Sequence, residues 1–355
     1  MPLLHGGNPV NTVNTGIFPT AIRDTSHLEV LLSEPTVGVV ETLKQLPGNL
    51  LILGAGGKMG PSLARMAKRA APQKRVVAVS RFSTPGSQEQ FERHDIETIA
   101  ADLLDTAQLA ALPEAQNIVY MAGMKFGATG NEPLTWAMNT FLPGMVCQRF
   151  PKSRIVAFST GNVYPLTPLR LGGSVETDQP APLGEYAMSC LGRERIFEHF
   201  SRTQGNPIAL LRLNYAVELR YGVPVDIAKK VWNGEPIPLA MGTANVLWQG
   251  DANAMALQSF DLTTSPATIL NLAGPEQLSV RRMAQFFGER MGKTPILVGE
   301  EAPTALLSNG QRLLAHTGNP HVPVQSLLSW IADWVMRGGE SLGKPTHFEA
   351  RDGKF

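Results

Sequence analysis

One junction constrains this chain more than any other. The short apolar run Leu50-Leu-Ile-Leu53 passes directly into Gly54-Ala-Gly-Gly57-Lys-Met-Gly60, and a helical pattern follows from Ser62 to Ala71. An unbroken apolar run of this length suits a strand buried on both faces. Glycines in that turn let the backbone bend sharply and approach a pyrophosphate, which rests on the N-terminus of the next helix. Pro61 is tolerated in the first turn of that helix. The junction therefore predicts a dinucleotide-binding turn at Gly54, Gly57, Lys58, Met59 and Gly60. Its plainer alternative is a tight turn before a closely packed helix.

The same rhythm continues downstream. Arg75–Ser80, Thr98–Ala101, Asn117–Met121, Arg154–Phe158 and Ile208–Leu213 read as further strands, with helical stretches at about 132–149 and 184–204. Strands alternating with helices imply βαβ units and an α/β class, a doubly wound parallel sheet. After Asn214, Gly and Pro become frequent and the alternation stops. Thr268–Leu272 reads as one more strand returning to the sheet, and 279–292 and 324–337 as terminal helices. The expected organisation is an appended N-terminal extension (1–48), a nucleotide-binding domain (49–214), a mostly substrate-binding lobe (215–337) and a loop-like tail (338–355).

The end of the second strand bears on the nucleotide. An acid there would bond a ribose 2′-hydroxyl, whereas an arginine accommodates a 2′-phosphate. The chain has Ser80-Arg81 and no acid, which favours NADP over NAD; the alternative is that Arg81 is a solvated loop charge.

A formal charge of +1 gives no electrostatic case for nucleic acid or an anionic membrane as partner. Two cysteines fit a reducing compartment, and no run nears the roughly 18 apolar residues of a membrane span. Met1–Gly7 lacks the basic and apolar regions of a signal peptide, so a cytoplasmic protein is the expectation. The seven histidines are scattered without zinc spacing, so no metal site is expected. Trp330 and Trp334, one turn apart, read as a helix face packed on the body.

From about residue 49 to 335 the chain resembles the extended short-chain dehydrogenases/reductases, the family of NAD-dependent epimerases and dehydratases acting on nucleotide sugars. Several segments carry the resemblance in order. Ala101-Asp-Leu-Leu-Asp105 resembles the adenine-contacting segment and points to Asp102 and Leu103. Tyr120-Met-Ala-Gly123 resembles the segment lining the cofactor after the fourth strand, pointing to Ala122 and Gly123. Asn139 matches a helix asparagine that props the active site, and Phe158-Ser-Thr-Gly-Asn-Val-Tyr164 places the catalytic hydroxyl at Thr160. Leu211-Arg-Leu-Asn214 resembles the segment whose asparagine faces nicotinamide and substrate, and Gly184–Glu194 resembles the catalytic helix with its tyrosine at Tyr186. The resemblance implies a Rossmann-type sheet with a small C-terminal substrate lobe. It also implies NAD(P) as cofactor, a nucleotide sugar or related polyol as substrate, and a homodimer paired through helices 132–149 and 184–204. Read singly, Asp102 is equally a cap for the helix beginning near Asp105, Asn139 a partner for buried backbone, and Ser159 and Thr160 end-of-strand hydroxyls.

One position departs from the pattern. The family's helix carries Tyr-x-x-x-Lys, and here Cys190 stands where the lysine belongs. Bringing a tyrosine from pKa 10 to about 7 takes roughly 4 kcal/mol of preferential stabilisation of phenolate. A cation one helical turn away supplies part of that, and a neutral thiol supplies none. Arg193, seven residues after Tyr186 on the same face, is a candidate substitute, and its alternative is a pair with Glu194 or Glu198. Cys190 itself reads most plainly as a small residue packed beside the cofactor. Two functional readings follow: an oxidoreductase, epimerase or dehydratase biased toward reduction, or a redox-silent NAD(P)-binding sensor or partner protein. Val246–Asp251 stands where the family often has a recognisable run, so no phosphate-clamping arginine can be placed.

Overall fold

The computed structural model describes residues 18–125, 127 and 130–353. The N-terminal segment read for a signal peptide lies outside them. Seven strands form one parallel sheet: β1 (Leu50–Leu53), β2 (Val76–Ser80), β3 (Glu97–Ala100), β4 (Asn117–Tyr120), β5 (Arg154–Thr160), β6 (Ile208–Leu213) and β7 (Thr268–Leu272). Their spatial order is β7-β6-β5-β4-β1-β2-β3. The chain winds outward from β1 in one direction and from β4 in the other, so the crevice between their C-terminal ends is the topological switch point where such sheets bind ligands. All residues of β1 and β4 are buried, as runs covered on both faces must be.

The longer helices are α1 (Thr25–Leu32), α2 (Val37–Gln45), α3 (Gly60–Ala70), α4 (Leu142–Arg149), α5 (Gly184–Gln204), α6 (Val223–Asn233), α7 (Gln249–Gln258), α8 (Val280–Met291) and α9 (Val324–Met336). Two apolar clusters cover the faces of the sheet, and a third forms the lobe from α6, α8 and α9. Trp330 and Trp334 are buried in the lobe core, with their indole N–H groups donating to Pro19 O and Glu340 O. No helix among the described residues is long and apolar enough to cross a membrane.

Three local readings change. The stretch expected as one helix over 132–149 is broken by a π turn at Ala137–Phe141, in which Leu142 N donates to Ala137 O five residues back. Pro143 has no N–H for the carbonyl of Asn139, four residues earlier, and so interrupts the regular ladder there. The segment read as an N-terminal appendage is packed into the body: Ile22, Leu28 and Leu32 join the lobe core, while Val39 and Leu43 of α2 join a sheet face. The tail keeps no regular structure yet is docked, with Phe348 buried, Thr346 bonded to Asp226, and Arg351 bonded to Ala240 O and Thr304.

Behind the sheet's C-terminal edge lies a wholly buried ion pair. Arg212 of β6 donates through Nη2 to Glu194 Oε2 of α5 at 2.7 Å, and Glu194 also accepts from Ser159 Oγ at 2.6 Å. Arg212 Nη1 donates to the Tyr164 hydroxyl at 2.6 Å, which donates in turn to Asn271. A buried charge deprived of its partner is costly. Glu194→Gln is therefore expected to lower unfolding free energy by about 3–5 kcal/mol. Urea denaturation measures it, and a loss under about 1 kcal/mol would show that the pair does not carry this weight.

Candidate functional site

The glycine turn sits at the switch point. Gly54 takes φ = +84°, and a Cβ there would come within 2.5 Å of Ala122 N, on the segment leaving β4. A Cβ on Gly60 would overlap the Ala55 carbonyl oxygen, so the start of α3 packs directly on the turn. Met59 precedes α3 with no side-chain cap, and the face of Gly57 is open, a Cβ there meeting nothing nearer than Gly54 O at 3.5 Å, so a ligand can approach the backbone of the turn closely. The residues present fit a dinucleotide pyrophosphate. Ser80, at the end of β2, closes on Gly56, and Arg81 beside it is exposed. Asp102 does not cap the next helix: Asp105 does, accepting from Ala107 N and Gln108 N, while Asp102 Oδ1 accepts from Leu104 N and its backbone N–H donates to Gln108. Leu103 is buried beneath it.

Tyr186 lies in the first turn of α5, partly buried, with Thr160 at the end of β5 and Cys190 one turn on both within hydrogen-bonding reach of its hydroxyl. Cys190 is fully buried against Tyr186, Val163, Tyr164 and Leu191. Burial pushes the Tyr186 phenol well above the usual tyrosine range, and Cys190 adds to this; Arg193 and the bond from Thr160 act the other way. With its pKa raised, the phenol is protonated at neutral pH. Thr160 also accepts from Asn162 N at 3.2 Å.

Asn139, on the π turn, uses its whole side chain. Its Oδ1 accepts from Met124 N (2.8 Å) and Arg193 Nη2 (2.6 Å), and its Nδ2 donates to Met124 O (2.9 Å) and Ser189 Oγ (3.0 Å). Arg193 also donates to Phe158 O at 2.8 Å and reaches the Asn139 carbonyl at 3.4 Å, the acceptor that Pro143 cannot serve. It pairs with neither Glu194 nor Glu198, which bind Arg212 and Arg195 instead. Gly123 leaves it room, because a Cβ there would strike the guanidinium. Asn214 is buried, with Nδ2 donating to Asn245 Oδ1 at 2.7 Å. Asn245 in turn donates to Gly274 O and Ser308 O.

Several charged residues stand beside the site: Lys58 was read from the glycine turn, whereas Arg220, Lys125 and Lys344 escaped the sequence reading. Lys58 Nζ donates to Ala216 O at 2.9 Å and lies 3.8 Å from the centroid of the Tyr221 ring. Burial lowers its pKa, Glu218 opposes this, and Lys125, Arg220 and Lys344 reinforce it. Arg220 spans Glu218 and Glu29 of α1, so the N-terminal segment braces this wall. Lys125 stands with its Nζ 5.9 Å from the centroid of the Tyr186 ring. Its one available signal was position, directly after the cofactor-lining segment Tyr120–Gly123. Lys344 comes from the tail, where nothing marked it. Among the described residues, no three His, Cys, Asp or Glu side chains gather as metal ligands.

The model of the NAD dependent epimerase/dehydratase family matches residues 50–217, the stretch that holds the turn, Thr160 and Tyr186. Solved structures share the fold at low identity. The Bacillus cereus UDP-glucuronic acid 4-epimerase in complex with UDP-glucuronic acid and NAD aligns at TM-score 0.67 with 16% identity, over 81% of this chain and 99% of that one. A dTDP-glucose 4,6-dehydratase from Bacillus anthracis in complex with NAD aligns at TM-score 0.69 with 15% identity, over 82% and 97%. A Thermotoga maritima UDP-glucose 4-epimerase with UDP-glucose aligns at 0.67 with 15% identity, over 82% and 99%. No curated protein sequence matches the chain.

Thiol chemistry separates a packed Cys190 from a reactive one. Burial pushes the Cys147 thiol up to about 12 and raises that of Cys190, against the pull of Arg193, Tyr186 and Lys125. A raised pKa means less thiolate at a given pH, so at about pH 8 both thiols are expected to resist a disulfide reagent until denaturant exposes them. Rapid labelling of Cys190 in the folded protein would overturn the packed reading.

Proposed function

We propose that this chain is an NAD(P)-dependent oxidoreductase, epimerase or dehydratase acting on a nucleotide sugar or related polyol. One observation carries the reading: the Tyr186 phenol and the Thr160 hydroxyl meet beside the ends of β4 and β5, next to a glycine turn built for a pyrophosphate at the switch point. Gly54, Gly57, Lys58, Met59 and Gly60 would hold the pyrophosphate. Asp102 and Leu103 would flank the adenine, and Ala122, Gly123 and Asn214 would line the nicotinamide end. A bound nicotinamide dinucleotide supplies the hydride exchange with a substrate carbon. Tyr186 moves the proton at the substrate oxygen, and Thr160 holds that oxygen in place. The Tyr186 proton is available for carbonyl reduction. Alcohol oxidation runs through the phenolate and needs a positive charge nearby.

Lys125 and Lys344 both act on the charge of Lys58 on the glycine turn, and this gathering of ammonium groups suits a substrate bearing phosphates. The structural relatives bound to UDP-glucuronic acid, UDP-glucose and NAD support the same substrate class. Exposed Arg81 at the end of β2, with no acid beside it, supports NADP as the preferred cofactor.

Fluorescence titration with NADPH and NADH, followed by turnover of UDP- and dTDP-hexoses and their 4-keto forms, tests the assignment. Arg81→Ala is expected to weaken NADPH about tenfold while leaving NADH unchanged, the cost of one charge-assisted phosphate contact. Tyr186→Phe should keep cofactor binding and lower kcat by about 10²–10⁴-fold. Saturable binding with no turnover on any sugar would favour the redox-silent sensor instead, which the lysine-free helix also accommodates. Failure to bind either nucleotide would refute both.

A homodimer is also proposed. Trp136, Phe141, Met145, Ile196 and Phe200 line an outward apolar groove between the 132–149 segment and α5, and Phe141 is 64% exposed. Sedimentation at micromolar concentration should show a dimer that Phe141→Asp converts to a monomer; a monomeric wild type would exclude it.

A further inference from the structure

The helix that carries Tyr186 provides no lysine one turn on, yet an ammonium reaches the tyrosine from another element. Lys125 lies on the segment leaving β4, with its Nζ 5.9 Å from the centroid of the Tyr186 ring. Its charge also acts on Cys190, pulling down a thiol pKa that burial raises, and Cys190 pulls the Lys125 pKa back up against its own burial. One ammonium therefore faces both the tyrosine and the residue one turn beyond it. A lysine side chain at position 190 would serve the same neighbourhood, because i and i+4 side chains share a helix face.

The segment bearing Lys125 is fixed. Asn139 bonds both the N–H and the carbonyl of Met124, at 2.8 and 2.9 Å, immediately before Lys125. The same amide bonds Ser189 and Arg193, one residue before Cys190 and three after it. Met124, the residue before Lys125, is thus tied to the helix of Tyr186 by a side chain whose hydrogen-bonding capacity is full. The charged and titratable groups around Tyr186 are Cys190 and Arg193 on its own helix and Lys125 on the β4 segment, with Thr160 at the end of β5. Lys58, on the glycine turn, adds a like charge near Lys125. Arg193 is buried with its guanidinium held by Asn139 and Phe158 O, and from there its charge also pulls the Tyr186 pKa down.

We propose that Lys125 takes the place of the missing helix lysine, as a positioning residue whose ammonium, delivered by the β4 segment that Asn139 holds at Met124, favours the phenolate form of Tyr186. The lysine has moved from the helix to a facing loop, and Cys190 is small because the cation arrives from elsewhere. This rests on the reading of Tyr186 as the residue that exchanges a proton, and it makes alcohol oxidation accessible to a site that otherwise keeps the phenol protonated.

The test reads the tyrosine directly. The full chain, labelled with [ζ-¹³C]tyrosine and saturated with NAD⁺, is titrated by NMR, with the Tyr186 signal assigned from Tyr186→Phe. In the wild type the phenol should ionise below about pH 11, and Lys125→Met or Lys125→Gln should raise its midpoint by at least about one pH unit. Lys125→Arg should stay within about half a unit of wild type, and Lys125→Met/Cys190→Lys should recover most of the shift. Having both Met and Gln variants, each checked for NAD⁺ binding, guards against a misfolded protein. An unchanged midpoint in variants that bind NAD⁺, or a wild-type phenol that never ionises in this range, overturns the inference and leaves the proposed function standing. Absence of NAD⁺ binding in the wild type would defeat the proposed function itself.

Discussion

Around the site, the structure depends on one amide. Asn139 sits on a π turn where Pro143 interrupts the regular helical ladder, and all four of its hydrogen-bonding positions are filled. Through them it joins the segment leaving β4 to the helix carrying Tyr186, and holds the Arg193 guanidinium between them. Bonds of this kind are each modest in net terms, but breaking one inside a dry interior costs the full desolvation of the orphaned group. The next residue of α5, Glu194, faces Arg212 on β6. Adjacent positions of one helix thus fasten it to two different parts of the sheet, and Tyr186 and Thr160 inherit their separation from those two anchors.

Electrostatics in this region is a contest between burial and compensation. Desolvation raises the pKa values of Tyr186, Cys190, Cys147 and Tyr120 and lowers those of Lys58 and Lys125, so every group is driven toward its neutral form. What resists this is arrangement: Arg193 beneath the tyrosine, Lys125 across from it, and Glu218 beside Lys58. A bound anion would shift the balance at Lys58 and Lys125 toward their charged forms.

Much of this was legible in advance. Leu50–Leu53 followed by a glycine cluster identifies a buried strand, a turn and a helix start, because few other structures tolerate that order. The recurrence of apolar runs gave all seven sheet strands to within two residues at each end, and the family resemblance placed Thr160 and Tyr186 close enough to interact. The π turn escaped, since a helical pattern with Pro143 near its middle reads equally as a helix with an early proline. Asp102 and Asp105 could not be told apart as caps until the chain's direction after β3 was visible. The N-terminal segment looked detachable because, besides α3, its apolar residues find their partners nearly 200 residues or more away, in the lobe and on α7.

The sequence by itself determined the elements, their parallel winding and the glycine turn, because periodicity and glycine placement are local properties of the backbone. It also exposed the absence of a lysine at position 190. Only the tertiary structure decided what stands in that neighbourhood, bringing Lys125, Arg193 and Cys190 around Tyr186 from two separate elements. The reason is range: a hydrogen-bonded helix fixes its neighbours within a turn, whereas a Coulomb interaction acts through space on whatever the fold delivers.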